Sequence, residues 1–199
     1  MKLKNQHLFL ISMLMGTAIV VAPLVYDRLV HGRAPKTTTL TPDVEVTAQI
    51  AQRQLRTIQQ AGYKTLIDFR PDSEVDGQAS SKVIEREAQK NALSFFYVPI
   101  PHGDAVPEDA VRKLSEILSS SPPPFLLYCR SGRRATRAWS LAEASRRSGR
   151  SAEGIYQAAS GTGYSIEDLK VSIKSRVSRR DAGLGNTKGG RSSGDTAKK

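Results

Sequence analysis

Cysteine occurs once in the 199 residues, tryptophan once and histidine three times. A single cysteine excludes an intramolecular disulfide, so cysteine usage leaves the redox compartment open. No His/Cys cluster has metal-ligand spacing, and neither a metal nor another cofactor is expected. Aromatic residues make up only 6% of the chain, and the charge of +11 is spread unevenly. Residues 1–36 carry +4 and residues 174–199 carry +6, which leaves +1 for everything between. A folded part without basic excess has no phosphate-tracking face, so no nucleic-acid partner is expected.

One stretch lacks charge altogether. Leu8 to Val25, LFLISMLMGTAIVVAPLV, is 18 uncharged residues, about 27 Å as a helix and close to the thickness of a hydrocarbon core. A cleaved signal peptide would need a small-x-small site, and the best one, Val20-Val21-Ala22, is followed by Pro23. A core helix would show a polar face. The expectation is an uncleaved anchor within residues 1–30. The flanking charges nearly cancel and leave the side open. A single pass through a bacterial inner membrane, with the domain in the periplasm, is the expected location.

Ala34 to Pro42 reads as part of an extended linker over residues 31–46. Beyond it, strand and helix signals alternate. Apolar spacing from Thr47 to Ala61 predicts a helix stopped by Gly62, and Tyr63–Phe69 predicts a strand. A helix over 81–91, a strand over Leu93–Val98 and a helix from Pro107 follow, then a strand at Phe125–Tyr128. Two shorter helices close the domain, the second opened by a Ser165–Asp168 capping box. Residues 174–199, rich in Gly, Ser and Lys/Arg, read as a disordered basic tail. The pattern predicts an α/β domain over residues 47–173: a central, mostly parallel sheet with helices on both faces. Ligands of such sheets bind beyond the carboxyl ends of the strands. That rule collects Arg70, Asp72, the His102–Asp104 loop and the turn after Tyr128 at one edge.

That turn, Cys129-Arg130-Ser131-Gly132-Arg133-Arg134, carries the chemistry. A strand, a glycine turn and a helix N-terminus converge backbone N–H groups into an anion cradle. A cysteine at its mouth, among arginines, is favoured as the thiolate. Arg134 adds a fork for a phosphate or sulfur oxyanion, and Arg130, Ser131, Gly132 and Arg133 supply the cradle. An inert buried cysteine would leave three arginines within five residues facing an apolar pocket.

With these residues in view, the stretch from about Thr47 to Leu169 resembles the beta-lactamase-hydrolase-like phosphatase-like domain, a bacterial branch of the protein-tyrosine-phosphatase-like fold. The matching pieces are Ala48-Gln49-Ile50, Ala61 through Asp72, Gly77-Gln78, Tyr97 through Ile100, Cys129 through Arg134, Ala158-Ala159 and Gly163-Tyr164. The resemblance implies a cysteine-dependent hydrolase of phosphorylated proteins or small molecules, working through a cysteinyl-phosphate. It also implies a general acid in the loop after the preceding strand, where Asp104 is the candidate, His102 second and Asp72 third. The loop departs from the tyrosine-phosphatase pattern: Tyr128 stands for the histidine, and the arginine comes five residues after the cysteine, with Ala135 in the sixth place. That spacing is similar to rhodanese sulfurtransferases, so a persulfide on Cys129 is an alternative. A non-catalytic oxyanion- or phosphopeptide-binding module is a third.

Overall fold

The computed structural model describes residues 32–103 and 105–189. The expected anchor, Leu8–Val25, lies outside the described residues, as does Asp104. Among the described residues no helix is long and apolar enough to cross a membrane.

Five strands form one sheet: β1 (Thr37–Thr41), β2 (Val44–Thr47), β3 (Thr65–Asp68), β4 (Ser94–Tyr97) and β5 (Phe125–Tyr128), in the order β1-β2-β5-β3-β4. β1 runs antiparallel to β2, and every other pairing is parallel. Every residue of β3 and β5 is buried, as central parallel strands covered on both faces require. The helices are α1 (Leu55–Gln60), α2 (Ser81–Lys90), α3 (Glu108–Ser120), α4 (Arg133–Ser145), α5 (Ala152–Ser160) and α6 (Lys170–Gly189).

Alternation along the strands divides the core into two layers. Ile67 and Leu127 pack on one face with Val111, Leu114 and Trp139 of α3 and α4. Leu66, Leu126 and Tyr128 pack on the other with Leu55, Ile58 and Ile84 of α1 and α2. The sheet, the alternation and both helical layers agree with the sequence reading.

Three segments differ from it. The expected linker is a β-hairpin that closes the sheet edge, because Leu40, Val44 and Val46 turn inward and bury. Its second strand takes up Val44–Thr47, so the helix expected from Thr47 shortens to Leu55–Gln60 behind a 3-10 turn. The expected tail does not begin at residue 174: α6 runs through it to Gly189. Ile173 is fully buried and Val177 packs on the same core. Arg176 reaches Glu108 and the Ser145 hydroxyl (3.0 Å), and Arg180 donates to the Glu143 and Arg150 carbonyls (3.4 and 3.1 Å). These arginines read as solvated charge in the sequence, but they dock the helix. The capping box is altered too. Ser165 Oγ accepts from the Glu167 N–H at 3.3 Å, while Asp168 is drawn into a two-pronged ion pair with Arg137 (2.8 and 2.6 Å).

Candidate active site

β5 ends at Tyr128, and the chain turns through Cys129–Gly132 into α4. The turn is possible because Gly132 takes φ 106°, a left-handed conformation that a side chain would strain. Cys129 is 1% exposed, and its sulfur accepts the Gly132 N–H at 3.1 Å. The first-turn N–H groups of α4 have no intrahelical acceptors, and that of Arg133 donates to Ser131 Oγ at 3.4 Å. The loop is braced at its base by the Gln49 N–H, which donates to the Arg130 carbonyl at 3.3 Å.

Arg134 is buried and fixed from two sides. Its Nη1 donates to the Ile100 carbonyl at 2.7 Å, and its Nη2 meets Glu74 at 2.8 and 3.0 Å. Glu74 also takes Arg70 Nε at 2.7 Å, and Arg70 Nη1 reaches Gln49 Oε1 at 2.8 Å. A carboxylate shared by two buried guanidiniums offsets one of their two positive charges and leaves the other, with the remaining donors of Arg134, for an oxyanion. Burial works against the Glu74 charge, but hydrogen bonds from Arg134 and Arg70 prevail and hold its carboxyl below the usual range.

His102, Gly103, Ser131, Arg133 and Arg134 line a pocket of about 360 Å³ over this loop. The loop after β4 therefore does reach the cysteine turn, as the sheet-edge rule expects, and Arg70 does as well, through Glu74. Asp72 does not. Its carboxylate accepts the Ser81 N–H (2.6 Å) and hydroxyl (2.7 Å) and starts α2, which accounts for it as a structural cap. Nor does Thr136, next to Ala135, offer a hydroxyl to the cysteine: it is fully buried and donates to the Gly132 carbonyl at 3.1 Å.

Two participants have no role in the sequence reading. Glu74 sits in a polar loop with Asp72 and Asp76, where pattern alone favours none of them. Buried Arg70 and Arg134 nonetheless demand a counter-charge, and that demand was the available signal. Tyr164 is the other; its hydroxyl donates to the Ser131 carbonyl.

Tyr128, in place of a histidine, lies on the α1–α2 side of the sheet beside Asp68, its register partner. Burial pushes the Asp68 carboxyl up to about 6, and the Asp72 charge adds to the rise. The Arg70 N–H at 2.8 Å and the Tyr128 hydroxyl work the other way. A raised acid costs the native state stability as pH rises, because the unfolded chain ionises first. The Asp68 contribution to stability should be whole below about pH 4 and be smaller by on the order of 2–3 kcal/mol at pH 7. Asp68→Asn should remove that fall; urea titrations of both proteins at pH 4 and pH 7 measure it, and parallel pH slopes would contradict it.

Residues 36–146, more than half of the chain, match the family "Beta-lactamase hydrolase-like protein, phosphatase-like domain". The beta-lactamase hydrolase-like protein of Xylella fastidiosa (strain Temecula1) is 27% identical over 82 residues, 41% of this chain and 19% of that protein. The protein of that name from Agrobacterium fabrum (strain C58) is 26% identical over 83 residues, 42% and 19% of the two chains. The matched stretch thus spans about a fifth of the length of these relatives. Among solved structures, a candidate phosphatase from Neisseria meningitidis Z2491 superposes with a TM-score of 0.58 at 23% identity, covering 70% of this chain and 96% of that one. The core catalytic domain of the PP-IP phosphatase SIW14 from S. cerevisiae gives 0.55 at 13% identity, covering 77% and 95%. These likenesses establish a phosphatase-like fold, and the chain belongs to the phosphatase-like domain family of beta-lactamase hydrolase-like proteins.

Proposed function

We propose that this protein is a cysteine-dependent phosphatase, tethered to a membrane through Leu8–Val25. One observation carries the reading: Cys129 sulfur receives the Gly132 N–H at 3.1 Å in a loop whose arginine, Arg134, is clamped by Glu74 and the Ile100 carbonyl. The thiolate attacks phosphorus, and the phosphoester oxygen leaves with a proton, giving a cysteinyl-phosphate. Water then displaces the thiolate and inorganic phosphate is released. The cradle N–H groups and Arg134 carry the charge of the transferring group throughout. Asp104, which follows Gly103 in the sequence, is the proposed acid, and His102 is the substitute. The exposed Arg130 and Arg133 suit an anionic substrate.

A second reading has support of its own. Ala135 has no hydroxyl and the Thr136 hydroxyl is committed to Gly132, so neither of these two positions offers an alcohol to help expel sulfur in the second step. Sulfur transfer through a Cys129 persulfide needs neither that hydroxyl nor an acid.

The full chain in detergent, given an aryl phosphate or thiosulfate plus a thiol, separates them. Phosphate release with a phosphorylated Cys129 in acid-quenched samples, lowered about a hundredfold by Asp104→Ala, is the expected result. A trapped persulfide with no phosphate release would establish sulfur transfer instead. Recovery of the full chain in the membrane fraction, solubilised only by detergent, is expected of the anchor, and recovery without membranes would remove it.

A further inference from the structure

The Ser131–Gly132 peptide is a single rigid plate with a hydrogen bond at each end. In a trans peptide the carbonyl and the N–H point in opposite directions. The Gly132 N–H points inward to Cys129 sulfur at 3.1 Å, and the Ser131 carbonyl points outward, where the Tyr164 hydroxyl donates to it. Glycine itself does little to hold such a plate, since both signs of φ are open to it. Turned over, the same peptide would aim a carbonyl oxygen at the sulfur and repel any oxyanion. Something outside the loop has to choose the orientation.

Tyr164 is placed to do so. Its ring covers Gly132 so closely that a Cβ there would lie 3.2 Å from Tyr164 Cε2, with the Thr47 carbonyl oxygen at 3.6 Å. The tyrosine is itself held at both ends of a short segment. On one side, the turn after α5 runs from buried Ala159, whose carbonyl takes the Thr162 hydroxyl at 2.7 Å. The Tyr164 N–H then meets that hydroxyl at 3.3 Å. On the other side, Ile166 is buried and Asp168 is gripped by Arg137 of α4. Its hydroxyl is therefore delivered to the loop by the body of the domain.

We infer that Tyr164 is a positioning residue for the nucleophile: by fixing the Ser131 carbonyl outward it keeps the Gly132 N–H on the sulfur of Cys129. It acts through the loop and touches no reacting atom. The inference rests on the reading of Cys129 as a thiolate nucleophile, and holds equally for phosphoryl and sulfur transfer.

The test is alkylation of Cys129, the chain's one cysteine, by iodoacetamide at pH 6 and pH 10. The proteins are the full chain, its Tyr164→Phe variant and a Tyr156→Phe control. Tyr156 is a near neighbour whose hydroxyl bonds the Lys170 carbonyl and not the loop. Phenylalanine keeps the ring over Gly132 and removes only the hydroxyl. The expected result is a rate at pH 6 about five- to tenfold slower in Tyr164→Phe, with equal rates at pH 10, where the thiol is ionised in both. Tyr156→Phe should match the unsubstituted chain at both pH values. Equal rates at pH 6, or an equal slowing at both pH values as a general structural change would give, overturns the inference. An unsubstituted chain that reacts only above about pH 8.5, like an ordinary cysteine, overturns the nucleophile reading itself and is recognised without any variant.

Discussion

Replacing Cys129 with serine should abolish phosphate release, by at least about ten-thousandfold, while leaving the domain folded and able to bind phosphate. The sulfur receives one backbone N–H at the start of α4. Such a donor is far from enough to make a serine alkoxide at neutral pH. Losing the nucleophile of a covalent mechanism removes nearly all of its acceleration. The rest of the cradle stays intact, because the Arg134 clamp does not involve the cysteine side chain and a serine oxygen can still accept the Gly132 N–H. Single-turnover assays with an aryl phosphate and titration with inorganic phosphate give the two halves of the result. Turnover above a hundredth of the original rate would place the nucleophile elsewhere.

Glu74→Ala should be the most damaging substitution outside the loop. It leaves Arg70 and Arg134, 5% and 7% exposed, without their shared counter-charge. Breaking a buried pair by removing one partner costs about 3–5 kcal/mol, in a protein of this size a fall in melting temperature of roughly 10 °C. Activity should fall as well, about a hundredfold, because Arg134 is then held only through Ile100 and its fork can rotate away from the oxyanion. Glu74→Gln keeps an acceptor without the charge and should lie between. The pH dependence has a definite sign. A carboxyl held below its usual range stabilises the fold above about pH 4, and that stabilisation drains away as pH falls through the lowered value. Acid melting of Glu74→Gln should therefore show a shallower loss than the unsubstituted chain. Melting temperatures within about 2 °C of one another in all three proteins would show that the arginines find another partner.

Much of this molecule is legible in its sequence because its signals are local. The apolar run Phe125–Tyr128, the glycine at 132 and the acids at the start of α3 each follow from rules spanning a few residues. Together they suffice to put a strand, a turn and a helix around Cys129. What sequence periodicity does not carry is partnership across distance. Glu74 is one of three acids in a polar loop, and only the folded chain brings it to an arginine 60 positions away. Tyr164 lies beyond the family match, and its place over the loop depends on a turn after α5 returning there. The hairpin of β1 and β2 was hidden because threonine serves linkers and edge strands alike. Helix α6 was hidden because arginines counted along a chain look soluble, whereas those of α6 have acceptors on α3 and α4.

That helix bears on where the protein can be cut. A boundary at residue 173, the natural one on composition, would sever α6 in its first turn. It would strip Arg176 from Glu108 and Arg180 from the Glu143 and Arg150 carbonyls, and uncover the core beneath Ile173 and Val177. The family match stops at residue 146, so a fragment trimmed to the match would lose still more, including Tyr164 and the Arg137–Asp168 tie. A faithful catalytic fragment has to carry α6 whole, and trimming it would report on a damaged scaffold rather than on the chemistry of Cys129.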